Sequence, residues 1–432
     1  MYQGIVLDYF LDVCKILRTA WKLCVAFADM AYISNLEINQ TGDNMKSFTF
    51  KITAIALATG LMSAAHAQVK IGFLGTTSGP SADVGKDQLD GFTLALDLLG
   101  GKLGGIAATV VKEDDQQKPE VALQAVTKLI EKDKVDIVTG LTFANVLMAL
   151  QPKIAATDVP FVGSVAGPSP TAGAMCKPNL FITSWQSDAP AEAMAKYMDD
   201  KGVKKLATLT ANFQGGKDKI TGLKRFYKGE ITDEIYTSLT QMDYSVEITQ
   251  LGAKNPDAVF AFYPGSLGVT FVRQYQQSGQ QTSIPLYTVN TIEGSNIEAM
   301  GAAINGAYVA DTWTPGLNNA ESKKFVAAFE KKYGRMPSAY AAFSFDAAYL
   351  LDSALRSTKG NYSDKKALNQ AIASAQFKSV RGAFKFGKNN YPIQNYHVFQ
   401  VTKTAKGADY KVVSEGVLKS HVDAYASQCS IK

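Results

Sequence analysis

From Val69 onward, short apolar runs alternate with longer stretches in which apolar residues recur every three or four positions. "VKIGFLG" predicts a strand, and Asp87 to Leu99, with Leu89, Phe92, Ala95, Leu96 and Leu99 on one face, predicts a helix. "ATVVKED" is the next strand, followed by the helix "PEVALQAVTKLIEKD", opened by Pro119. "VDIVTG", the helix "NVLMALQPKIAATD" and the strand "VPFVG" continue the series. Repeated strand–helix alternation implies a parallel sheet covered on both faces.

A second series follows. "KKLATLTA", "GEITDEIYT", "DAVFAFY", "IPLYTV" and "GAYVADTW" read as strands. "GKDKITGLKRFYK" and "GVTFVRQYQQSG", closed by Gly279, read as helices between them. Three helices come next: "AESKKFVAAFEKKYG", "SFDAAYLLDSALRS" and "KKALNQAIASAQF". The segment "GAFKFGKNNYPIQNYHVFQVTK" alternates and predicts a strand pair around Asn389-Asn390. Two successive α/β sets predict two lobes of similar size rather than one sheet of about ten strands or more. Ligands of such sheets sit beyond the carboxyl ends of the strands, which directs attention to the loops after them.

The first of these loops runs from Gly75 to Lys86. It is not a nucleotide phosphate loop. Five residues separate Gly79 from Gly85, where that motif has four, and Asp87 follows Lys86 where a Ser or Thr belongs. It reads instead as a small-residue turn, with Ser78 and Gly79, into a helix N-terminus that can face an anion. The loop Gly163 to Thr171 is small and hydroxyl-rich, with Ser164, Ser169 and Thr171 as carboxylate donors. In the second series, Phe213 and Tyr263 offer rings, Gly265 follows in the Tyr263–Ser266 loop, and Glu293 offers an acceptor for an ammonium or hydroxyl.

Composition adds limits. With 46% hydrophobic and 19% charged residues the chain is ordinarily globular. The net charge of +5 is scattered and forms no basic stripe, which excludes nucleic acid as the expected partner. Outside His66, the histidines are His397 and His421, far from the loops named. With no G-x-S-x-G, H-E-x-x-H or C-x-x-C motif, neither an enzyme nor a metal or cofactor site is expected.

Met45 to Lys51 is a short basic start, Ile52 to Ala65 is apolar, and Ala65-His66-Ala67 is a cleavage pattern before Gln68. Residues 45–67 therefore read as a secretory signal peptide, with a mature start near Gln68. Within residues 1–44, the segment from Gly4 to Ile33 is apolar but broken by Asp8, Asp12, Lys15, Arg18, Lys22 and Asp29, which argues against a membrane span. They read either as an amphipathic anchor or as the product of an upstream start codon. Beyond the leader cysteines Cys14 and Cys24, Cys176 and Cys429 remain, as one disulfide or as two buried thiols.

The stretches "IGFLGTTSGPSADVGKDQLDGFTLALD", "DIVTGLTFANVLMAL", "VPFVGSVAGPSP" and "AVFAFYPGSLGVTFVRQY" resemble, in that order, the branched-chain amino acid (Leu/Ile/Val) binding family of ABC transporters. More narrowly, "CKPNLFITSWQSD", "QGGKDKITGLKRFY", "SVRGAFKFGKNNYPIQNY" and "DAYASQC" are similar to the subgroup that takes up aromatic carboxylates. The resemblance implies a type I periplasmic binding protein, with two Rossmann-like lobes joined by a three-strand hinge. It supports a Cys176–Cys429 bridge. It implies ligand contacts at Phe143, Ala144 and Asn145, at Ala166 and Gly167, and at Phe213, Tyr263 and Glu293. Ala144 stands where the family has a carboxylate-binding hydroxyl, and Pro168 where it has a threonine, so Ser169 or Thr171 would substitute.

The expected lobes are 68–187 with 314–380 and 188–313 with 381–432, crossing near Ser187, Trp313 and Arg381. The expected function is a periplasmic, monomeric binding component of an ABC importer, presenting an aromatic acid or a hydrophobic amino acid to an inner-membrane permease. The alternative is a sensing module acting with a separate signalling partner.

Overall fold

The computed structural model describes residues 68–431. The segments expected to be a leader and a signal peptide, with Cys14 and Cys24, lie outside the described residues. Two sheets organise the rest. The first contains β1 (Gln68–Gly75), β2 (Lys102–Leu103), β3 (Ile106–Asp114), β4 (Ile137–Gly140), β5 (Phe161–Gly163) and β6 (Leu180–Ile182) in the order β2-β3-β1-β4-β5-β6. All its pairings are parallel except the short β2–β3 hairpin. The second contains β7 (Lys205–Ala211), β8 (Glu230–Thr237), β9 (Ala258–Phe262), β10 (Leu286–Thr288), β11 (Tyr308–Asp311), β12 (Lys385–Phe386), β13 (Pro392–Thr404) and β14 (Gly407–His421). Its order is β12-β13-β11-β10-β9-β7-β8, with β14 pairing β13.

Burial on both faces explains the unbroken apolar runs. Every residue of β9 is buried, as are Ile71, Phe73 and Leu74 of β1. In the first sheet the strand order reverses between β1 and β4, and in the second between β7 and β9. The carboxyl ends of these strands are therefore the crevices open to a ligand.

The helix Ala82–Leu98 begins five residues before the periodic stretch, because Ala82 to Lys86 supply its first turn without an apolar stripe. It packs on the helix Ala339–Ser357, and a Cβ at Gly91 would collide with the Ala341 carbonyl oxygen. The helix Ala189–Asp200 had no clear periodic signal, since nine of its 12 residues are buried and it shows no polar face of ordinary width. The chain leaves the first sheet after β6 and enters the second at β7. It returns after β11 through the helices Ala320–Tyr333 and Ala339–Ser357, then re-enters the second sheet at β12.

Arg381 sits on that last passage. Its Nη1 donates to Ser184 O at 3.1 Å and to Gln394 Oε1 at 2.7 Å, and its Nε donates to Asp346 Oδ2 at 3.0 Å. The Phe343 and Phe384 rings sandwich the guanidinium, each 4.9 Å from it. The strand pair around Asn389-Asn390 is present as β12–β13, only two residues long on its first strand. The larger β13–β14 hairpin follows it. Cys176 and Cys429 form a disulfide, with Cα atoms 5.7 Å apart.

Candidate functional site

A cavity of about 40 Å³ lies where the carboxyl ends of the two sheets face each other. That volume holds a few waters. The first sheet contributes Thr142, Phe143 and Ala144 after β4, and Val165 and Ala166 after β5. The second contributes Phe213 after β7, Phe262 and Pro264 around the end of β9, and Asn290 after β10. Trp185 and Tyr340 close the wall. Phe213 links the rings, with its centroid 5.8 Å from both Phe143 and Phe262.

One cation enters this aromatic enclosure. Lys219 is 2% exposed, and its Nζ lies 5.3 Å from the centroids of both Trp185 and Phe262. The Nζ has no hydrogen-bond partner. Burial pushes the ammonium down to about 7, against the opposing fields of Asp311, Asp188 and Asp218. Asp311 and Asp218 are both pushed up to about 6, mainly by their own burial.

The hydroxyl Thr142 brings to the wall is already committed. It donates to Gln88 Oε1 at 2.6 Å and accepts from Thr76 N at 3.0 Å. Asn290 is held from three sides. Its Nδ2 donates to Asp311 Oδ2 at 2.7 Å, its carbonyl accepts from the Tyr340 hydroxyl at 2.8 Å, and its backbone is left-handed at φ 49°.

Of the residues read from the sequence, Phe143, Ala144, Ala166 and Phe213 line the cavity. The others stand elsewhere. Ser78 and Gly79 form an exposed turn before the helix Ala82–Leu98. Asn145 lies in the first turn of the helix Ala144–Ala149, outside the cavity wall. Gly167 lies against Trp185, where a Cβ would strike the Trp185 carbonyl oxygen.

The loop hydroxyls read as carboxylate donors are occupied. Ser169 Oγ donates to Asp218 Oδ1 at 2.7 Å, Thr171 Oγ1 donates to Pro168 O at 2.9 Å, and Ser164 Oγ accepts from Gln88 Nε2 at 2.9 Å. Tyr263 points to the opposite side from Phe262, as successive strand residues do. It packs on Tyr244 and Phe271 at 4.9 and 5.0 Å, and Phe262 supplies the second ring instead. Gly265 meets the Pro80–Asp83 turn. Glu293 Oε2 accepts from Ala339 N at 3.0 Å, outside the cavity wall, and burial raises its carboxyl well above the usual range.

Sequence reasoning missed Lys219, Trp185, Asn290, Tyr340 and Phe262. A signal for Lys219 existed. In the helix Gln214–Phe226, Gly216, Lys219, Ile220 and Leu223 follow the i, i+3, i+4, i+7 spacing of a buried stripe, and all four are buried. A lysine on that stripe faces the interior.

The family model for periplasmic binding proteins matches residues 68–408. The chain belongs to the periplasmic binding protein family. Its two-sheet α/β architecture is that of the type I members. Leu/Ile/Val-binding protein homolog 6 of Brucella melitensis is 27% identical over 377 residues, covering 83% of this chain and 94% of that protein. An ABC transporter solute-binding protein from R. palustris, solved with benzoate, is 29% identical with a TM-score of 0.78, covering 84% of this chain and all of that one. A solute-binding protein from Rhodopseudomonas palustris BisB5, solved with 3,4-dihydroxybenzoic acid, is 25% identical with a TM-score of 0.78, covering 83% and 99%. These relatives are solute-binding proteins rather than enzymes.

Proposed function

We propose that this chain is the periplasmic solute-binding component of an ABC importer, and that its ligand is a small aromatic carboxylate. The observation that carries the reading is Lys219, a buried ammonium without a hydrogen-bond partner in an aromatic-walled cavity. A ligand carboxylate would supply that partner, in a setting where charge-assisted bonds are strong because water is excluded. The rings of Phe143, Phe213 and Phe262 would cover an aromatic body.

The branched-chain amino acid reading is disfavoured by the same geometry. No carboxylate lines the cavity, Glu293 is engaged by the Ala339 amide, and the Lys219 charge repels an α-ammonium. The ligands of the two Rhodopseudomonas relatives favour the aromatic reading.

In this reading the ligand docks on the lobe of residues 68–187 with 314–380. The lobe of residues 188–313 with 381–432 closes over it by bending at the three passages, and the closed monomer is presented to a membrane permease. Calorimetry on the purified protein checks the ligand class. Benzoate or a hydroxybenzoate is expected to bind in the micromolar range or tighter, with leucine, valine and isoleucine silent. Heat from the amino acids alone would overturn the assignment.

A further inference from the structure

The structure assigns to Asn290 the selection of a ring hydroxyl, so that the preferred ligands are hydroxylated aromatic acids rather than the bare acid. This rests on the aromatic-acid reading and goes one step further into the same cavity. Two buried polar side-chain atoms of the cavity wall lack a hydrogen-bond partner: Lys219 Nζ and Asn290 Oδ1. One is a donor suited to a carboxylate, and the other is an acceptor that a carboxylate cannot satisfy.

The orientation of the amide follows from its neighbours. Ionised Asp311 only accepts, and its Oδ2 takes the Asn290 Nδ2 hydrogen at 2.7 Å. Its other oxygen accepts from Thr312 N at 2.6 Å, which fixes the carboxylate plane. Turning the amide over would set two acceptors against each other. The Asn290 nitrogen therefore stays toward Asp311 and the oxygen is turned away from it.

The backbone adds a second restraint, through the Tyr340 hydroxyl on the Asn290 carbonyl and a left-handed φ that asparagine tolerates better than most residues. Asn290 is 1% exposed and its Oδ1 has no protein partner, and an unmet buried acceptor is a standing penalty. A phenolic O–H removes it. A ring C–H or C–F does not.

The relatives leave the choice open, since one was solved with benzoate and the other with 3,4-dihydroxybenzoic acid. The test is a calorimetric comparison on the full chain of benzoate, the three hydroxybenzoates and the three fluorobenzoates, fluorine matching hydroxyl in size but donating nothing. At least one hydroxybenzoate is expected to bind about tenfold more tightly than benzoate and its own fluoro counterpart, the fold-change of one well-made buried hydrogen bond. In Asn290→Gly, which keeps the left-handed backbone accessible, that ratio should fall to within about twofold, whatever the change in benzoate affinity itself.

Benzoate binding equal to every hydroxybenzoate in the parent protein would overturn the role of Asn290 and leave the aromatic-acid reading standing. So would a tenfold hydroxyl preference that survives in the glycine variant. Silence toward the whole aromatic panel, with leucine binding, would instead sink the aromatic-acid reading and this inference with it.

Discussion

Lys219 sets two quantities against each other. Its burial beside Trp185 and Phe262 disfavours the charged form, while a ligand carboxylate rewards it. Replacing it with methionine, Lys219→Met, is expected to weaken binding of aromatic acids at least about thirtyfold, the usual loss when one partner of a buried charge pair is removed. The same change should raise the melting temperature of the unliganded protein, because it removes a buried ammonium with no partner.

The pH dependence follows from the same group. The unfolded chain holds the proton up to 10.5, whereas the folded chain releases it near 7. Unliganded stability therefore gains as pH climbs from 7 toward 10, and the burden is constant below 7. Ligand affinity moves the opposite way, falling by up to about tenfold per unit above pH 7 as the ammonium is lost. Calorimetry and melting curves at pH 7 and 9 on both proteins check the pair of signs, and equal pH profiles would reject Lys219 as the anion partner. At this scale the sequence disclosed the wall residues that follow strands directly, Phe143, Ala144, Ala166 and Phe213. Trp185 and Tyr340 come from a passage between sheets and from a helix packed on the first sheet, so their arrival depends on tertiary packing that no local pattern encodes.

Elements were legible where one face is wet. The helix Ser266–Gln277 alternates buried Leu267, Phe271, Val272 and Tyr275 with polar neighbours, and its periodicity is plain. The helix Ala189–Asp200 was missed because alanine and methionine cover nearly all its faces. The β13–β14 hairpin was missed because the alternation of β14 is blurred by half-buried positions on both faces.

That hairpin leads into the tail, which two devices tie down. Tyr425 donates its hydroxyl to Asp188 Oδ2 at 2.8 Å, and Cys429 is bonded to Cys176 across a sequence separation of 253. A cross-link closing a loop of that length stabilises by about 5 kcal/mol in the chain-entropy model. The double variant Cys176→Ser, Cys429→Ser is expected to melt on the order of 5–10 °C lower, with ligand affinity nearly kept, since neither residue lines the cavity. Scanning calorimetry on the variant, and on the parent protein with and without reductant, measures this. An unchanged midpoint would mean that the tail is held by the Tyr425 contacts alone.

At the scale of the whole molecule, two sheets were legible because the strand–helix series occurs twice, and both are present with the strand reversals that doubly wound sheets carry. What the series did not disclose is how the two sides of the cleft meet. Among the described residues, several polar contacts around the cavity join them. Ser169 N and Oγ donate to Asp218, the Tyr340 hydroxyl to Asn290 O, Ala339 N to Glu293 Oε2 and Ser266 N to Pro80 O, and Ser295 Oγ approaches Asp83 Oδ2 at 3.5 Å. All lie around the cavity, in the cleft between the two sheets.

If closure retains the ligand, loosening one contact outside the cavity should change departure and not arrival. Ser169→Ala removes a single neutral hydroxyl from Asp218 while the Ser169 amide still donates to it. Losing about 1 kcal/mol from the closed form should speed ligand dissociation about fivefold, with the association rate within twofold of the parent protein. Stopped-flow fluorescence of Trp185, which lines the cavity, reads both rates. X-ray scattering of the parent protein should show a smaller radius of gyration with ligand than without. Scattering curves that superimpose, together with an unchanged dissociation rate in Ser169→Ala, would mean that the cavity admits its ligand without moving the lobes.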